Sequence, residues 1–136
     1  MTKRVDLEKY KEFVDGVTSV TSKNLGAFVT RVYDLDEDGV NVPRLLTAGI
    51  GLSGESGEFN ELVKKIVFHG KEYNEENIIH LKKELGDVIW YWTQACLALN
   101  VDPNEIISAN VAKLEARYPG GKFSVYHSEN REEDDI

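Results

Sequence analysis

Apolar residues recur at intervals of three and four along most of this 136-residue sequence, and its three prolines stand at the margins of those stretches. Alternating apolar/polar runs are few, so the pattern commits the chain to helices rather than sheet. Asp6 precedes Leu7, Tyr10, Phe13, Val14 and Val17, an amphipathic first helix that fades near Ser22-Lys23-Asn24. Phe28, Val32 and Tyr33 suggest a helical turn or two before an acidic loop, Asp34-Leu35-Asp36-Glu37-Asp38-Gly39. Asn41-Val42-Pro43 opens a long second helix, since proline is tolerated in a first turn where its missing N–H would have no partner. That helix should end near Phe68-His69-Gly70, with Gly70 as a left-handed cap. Glu75 or Asn77 starts a third helix running through Trp92 and Cys96 to Leu99. Asp102-Pro103-Asn104-Glu105 reads as cap, first-turn proline and acidic first turn of a fourth, which stops before Pro119.

Long amphipathic helices joined by short loops predict an all-α four-helix bundle, one domain over 1–127 with an acidic, frayed tail over 128–136. The tail holds five acids and one arginine. Two features strain a lone subunit. The third helix is apolar nearly all round, with Trp90, Tyr91 and Trp92 in a row, which predicts a homodimer or homotetramer. Gly49, Gly51, Gly54 and Gly57 lie inside the second helix, each costing about 1 kcal/mol relative to alanine. So many suggest a close approach to that backbone, or a local break.

Charge narrows the function. Sixteen Lys and Arg against twenty-four Asp and Glu give a net charge of −8, the wrong sign for a protein that wraps nucleic acid. Acidic proteins that handle nucleotides usually do so through metal ions. The single cysteine, Cys96, excludes an internal disulfide and a thiolate cage, and reads as a small core residue. The longest uncharged run, Val88 to Val101, is fourteen residues against the ~20 of a membrane helix. With no apolar stretch behind Lys3 and Arg4, no secretory leader is read, and a cytoplasmic protein is expected.

Two carboxylate pairs stand out. Glu55 and Glu58 are three apart on the second helix, and Glu84 and Asp87 three apart on the third. That spacing puts each pair on one helix face. A short connection makes the two helices antiparallel neighbours, so the pairs can face each other. Four carboxylates converging in an apolar interior would repel prohibitively without a cation, and with one they form an all-oxygen site for Mg²⁺ or Mn²⁺. Acids at this spacing also decorate ordinary solvated helices. These pairs, however, sit among Leu52, Phe59, Leu62, Leu85, Val88 and Ile89, and Gly54, Gly57 and Gly86 leave room beside them.

Gly54-Glu55-Ser56-Gly57-Glu58 followed by Glu84-Leu85-Gly86-Asp87 resembles the E-E-x-x-E…E-x-x-D signature of the MazG-like nucleotide pyrophosphohydrolases. Asp87-Val88-Ile89-Trp90-Tyr91 is similar to that family's aromatic continuation, and Asn110 to Pro119 to its N-x-x-K-x-x-x-R-Y segment. The resemblance spans residues 43 to 123 and departs at Gly54, where the signature often has a glutamate. It implies an enzyme, dimeric or tetrameric, that uses Mg²⁺ (Mn²⁺ substituting) to hydrolyse a nucleoside triphosphate to the monophosphate and pyrophosphate. By position, Glu55, Glu58, Glu84 and Asp87 would be the metal ligands, and Glu58 also a candidate general base. Lys113 and Arg117, one turn apart, would hold the outer phosphates, with Asn110 on the same face; as ordinary last-turn cations they would instead balance the helix dipole. Tyr91, four after Asp87, would contact sugar or phosphate, or else pack an interface. The expected substrates are deoxynucleotides, dGTP or dCTP first, with Tyr10, Phe13 and Phe28 as a wall for the base. The rival reading is a non-catalytic bundle that regulates or scaffolds through the third helix.

Other motifs lead nowhere. Asp34-x-Asp36-x-Asp38-Gly39 opens like a calcium loop, but its twelfth position is Leu45 where a glutamate is needed, so a turn is expected. His69, His80 and His127 are scattered, with no H-E-x-x-H, and no phosphate-binding glycine loop is present.

Overall fold

The computed structural model describes residues 4–130, and every regular element among them is helical. The all-α class expected from the periodicity is what the chain adopts. The chain divides between Val42 and Pro43 into two compact units.

The first unit holds α1 (Leu7–Val17), α2 (Val20–Lys23) and α3 (Leu25–Glu37). Asp6 caps α1, its carboxylate accepting from the Glu8 and Lys9 amides at 3.1 and 3.3 Å. The helix stops at Val17, earlier than the apolar spacing suggests. Thr18 and Ser19 explain the break, because hydroxyls compete for the backbone groups that continuation would need. Thr18 Oγ1 donates to the Val14 carbonyl at 2.6 Å, and the Ser19 hydroxyl accepts from the Ser22 amide to begin α2. Asn24 ends α2 and caps α3, its side chain accepting from the Ala27 amide at 2.9 Å. The segment expected to be an acidic loop is instead the last turn of α3, up to Glu37. What ends it is Gly39 at φ +84°, with the Val40 amide donating back to the Leu35 carbonyl at 2.9 Å. That is a glycine-terminated helix, the backbone reversing in the left-handed region where a side chain would be strained.

The second unit holds α5 (Glu75–Leu99), α6 (Pro103–Arg117), α7 (Val125–Glu129) and all but the first residue of α4 (Val42–Phe68). Despite its glycines, α4 is one unbroken helix of 27 residues. Gly70, at φ +70°, follows its end as expected, and the Lys71 amide returns to the Lys65 carbonyl at 3.1 Å. Asn74 caps α5, accepting from the Asn77 amide at 3.0 Å. Left-handed Asn100, φ 53°, terminates α5, while Asp102 and Pro103 start α6 with the Asn104 amide on the Asp102 carboxylate at 2.9 Å. Ser128 and Glu129, read as tail, fall within α7, and residues 131–136 lie outside the described residues.

Two facts fix how α4 and α5 run. Tyr91 lies against Gly51, and Glu84 approaches Glu55 and Glu58, so numbers rise along one helix as they fall along the other. The pair is antiparallel. Ala48 and Leu62 of α4 and Cys96 of α5 are buried, whereas Leu85, Ile89, Trp90 and Leu97 of α5 remain exposed. Among the described residues no helix is long and apolar enough to cross a membrane.

Candidate metal centre

One of the four α4 glycines answers the close-approach question. A methyl at Gly51 would overlap the Tyr91 ring, whereas at Gly49, Gly54 and Gly57 it would meet nothing within 4 Å. The Tyr91 ring therefore rests on the bare backbone of α4, and its edge meets Trp90 at 4.8 Å between centroids with an interplanar angle of 86°. That contact brings α4 and α5 together one to two turns from the acids.

Glu55 and Glu58 project from α4 towards Glu84 on α5, and one carboxylate oxygen from each lies within 4.8 Å of the others. Among the described residues no other trio of His, Cys, Asp or Glu converges this closely. Asp87 stands outside the trio, but its charge is felt at Glu55. The Glu55 carboxyl is held above the usual carboxylate range, first by partial loss of hydration and then by repulsion from Glu58, Asp87 and Glu84.

The setting differs from a sealed apolar interior. Glu84 is buried, Glu55 half-buried, and Glu58 and Asp87 exposed. Gly54 and Gly57 are the physical reason, since neither has a side chain to wall off the neighbouring glutamates and open space lies beside both. The cluster is thus enclosed on the α5 side and open on the other, which suits a cation that must also meet a substrate.

Asn110, Lys113 and Arg117 follow along α6 in the same compact unit, Asn110 exposed and the two cations half-buried. Tyr91 is half-buried, one face committed to α4. Sequence reading passed over His80, whose Nε2 stands 3.0 Å from Glu84 Oε1. The signal was available: His80 precedes Glu84 by four, one turn earlier on the same face. Zinc-type histidine spacing, H-E-x-x-H, does not include such a pair.

The donor set fits a hard divalent cation. It is all oxygen, one member is buried, and lost hydration together with mutual repulsion already disfavours the charged state of Glu55. Glu55, Glu58 and Glu84 would hold such an ion, with Asp87 one turn beyond Glu84.

Comparison with known proteins converges on the same stretch. The family model described as the MazG nucleotide pyrophosphohydrolase domain matches residues 45–121, more than half of the chain. The chain is also similar to the Gene 37 protein of Mycobacterium phage L5, 34% identical over 99 residues, covering 71% of this chain and 86% of that protein. No solved structure matches significantly. The family match contains every residue of the carboxylate cluster and all of α5 and α6, and excludes α1 to α3.

Proposed function

Because the chain belongs to the MazG nucleotide pyrophosphohydrolase family, we propose that it hydrolyses a (deoxy)nucleoside triphosphate to the monophosphate and pyrophosphate at the α4–α5 carboxylates, in the presence of Mg²⁺. The observation that carries the reading is the convergence of Glu55, Glu58 and Glu84 from two helices to within 4.8 Å.

A bound Mg²⁺ offsets the charge of phosphate oxygens and acidifies water. The rest of the work falls to the chain. Glu55 and Glu84 are the enclosed members and fix the position of the cation; Asp87 adds charge beside them. Glu58, exposed and on the open side, takes the proton of the attacking water at a carboxylate oxygen. Water oxygen bonds to the α-phosphorus as the bridge to the β-phosphate breaks, and pyrophosphate leaves with the electron pair. Lys113 and Arg117 bind the departing phosphates, Asn110 shares their stripe of α6, and Tyr91, braced on Gly51, sets the edge of the sugar site.

Pool-shaping activity on deoxynucleotides, dGTP or dCTP first, in the cytoplasm, is the cellular role this chemistry suits. The working form is a homodimer or homotetramer. What supports this is the α5 surface: Leu85, Ile89 and Trp90 are 49, 59 and 53% exposed, an apolar strip that a second copy of the chain would cover.

The test is incubation with each common ribo- and deoxynucleoside triphosphate plus Mg²⁺, with pyrophosphate and orthophosphate assayed separately. Pyrophosphate and monophosphate in equal amounts are expected from at least one nucleotide. Orthophosphate alone would move the cleavage to another bond, and no product from any of them would favour the non-catalytic bundle.

A further inference from the structure

We propose that His80 is a positioning residue that holds the Glu84 carboxylate in place for the divalent cation; this rests on the reading that Glu84 is one of the ligands. Glu84 is the one charged side chain buried among the described residues, 9% exposed, whereas the His80 side chain is 53% exposed. The other buried polar residue, Asn77, is tied by its amide to the Glu72 carbonyl at 2.7 Å.

A buried carboxylate needs donors, because water no longer supplies them. His80 stands close enough to serve as one without any change of protonation: its Nε2 lies 3.0 Å from Glu84 Oε1, and a neutral imidazole can carry its hydrogen on that nitrogen. Both residues stand on α5, one turn apart in the middle of a 25-residue helix, so backbone geometry rather than a mobile loop sets their separation. A glutamate side chain has three rotatable bonds, and fixing one of its oxygens restricts the torsions that decide where the other lies. The partners of ligating carboxylates act in this way at metal sites, and losing one typically weakens metal binding about 10–100-fold. An ordinary exposed i,i+4 pair would have no such leverage, since both its members would be solvated.

The experiment titrates the full-length protein with Mn²⁺ alone, without nucleotide, following free Mn²⁺ by electron paramagnetic resonance. His80→Met keeps bulk without a donor; His80→Gln keeps an N–H donor. The expected result is about 10–100-fold weaker Mn²⁺ binding for His80→Met, with His80→Gln within about threefold of the wild type. Circular dichroism checks that each variant is folded, and His80→Ala replaces His80→Met should the thioether prevent folding. Wild-type affinity in the donorless variant would overturn the proposal, as would His80→Gln binding as weakly as His80→Met. Glu58→Gln, titrated alongside, separates this idea from its premise. If Glu58→Gln loses Mn²⁺ while His80→Met keeps it, only the positioning role falls; if the wild type takes up no Mn²⁺, both fall.

Discussion

Single side chains carry the chemistry, and they are constrained by lost hydration first and by mutual repulsion second. Glu55 binds its proton more tightly in the folded chain than an ordinary carboxyl does. Such a group favours the metal-free fold below the ordinary carboxylate range, and that contribution is lost as pH rises through the raised folded value. At neutral pH, Glu55→Gln should therefore raise the melting temperature in chelator and lower the further rise produced by Mg²⁺; a melt with and without EDTA checks both. Glu58→Gln and Asp87→Asn should each reduce turnover by about 10²–10⁴-fold with the fold intact, measured as pyrophosphate release beside a circular dichroism melt. The pairing of acids at i,i+3 was visible in the sequence because a helix has only one way to present that spacing. Their burial was not. Apolar neighbours such as Phe59 and Leu85 suggested an interior, yet Glu58 and Asp87 are exposed, because enclosure depends on what stands opposite each residue in space.

Helix ends, by contrast, were mostly written in local chemistry. Gly70, Asp102 and Pro103 act where they were expected to, since caps need only a few adjacent residues. Errors arose where two signals competed. Acidic residues 34–38 look like a loop, but Asn24 caps α3 ahead of them and Gly39 ends the helix behind them, so the acids ride its last turn. Four glycines within α4 looked like one phenomenon and are at least two. Gly51 is bare for the Tyr91 ring, while Gly54 and Gly57 leave the glutamates open. Gly51→Ala should destabilise the protein by about 1–3 kcal/mol through overpacking. In a Tyr91→Ala background the clash is gone, and the same change should be neutral or stabilising by up to ~1 kcal/mol. A double-mutant cycle by urea denaturation measures the coupling; equal effects in both backgrounds would contradict the close approach.

At the scale of the molecule, the family match begins at residue 45, close to where the chain divides into its two units. The all-helical class followed from periodicity, and the family from three separated blocks of sequence, but the division at Val42 left no compositional mark beyond Pro43. The α5 strip should make the protein self-associate. Sedimentation equilibrium is expected to return two or four copies, and Trp90→Glu or Ile89→Glu should shift the mass towards one. A monomeric wild type at micromolar concentration would contradict the assembly without touching the chemistry. The chemistry itself is tested most directly by one turnover in ¹⁸O-labelled water with Mg²⁺, the products separated by mass spectrometry. The label is expected in the nucleoside monophosphate with the pyrophosphate unlabelled, and Glu58→Gln is expected to form both about 10²–10⁴-fold more slowly. Label in the pyrophosphate, or undiminished product from Glu58→Gln, would contradict that chemistry.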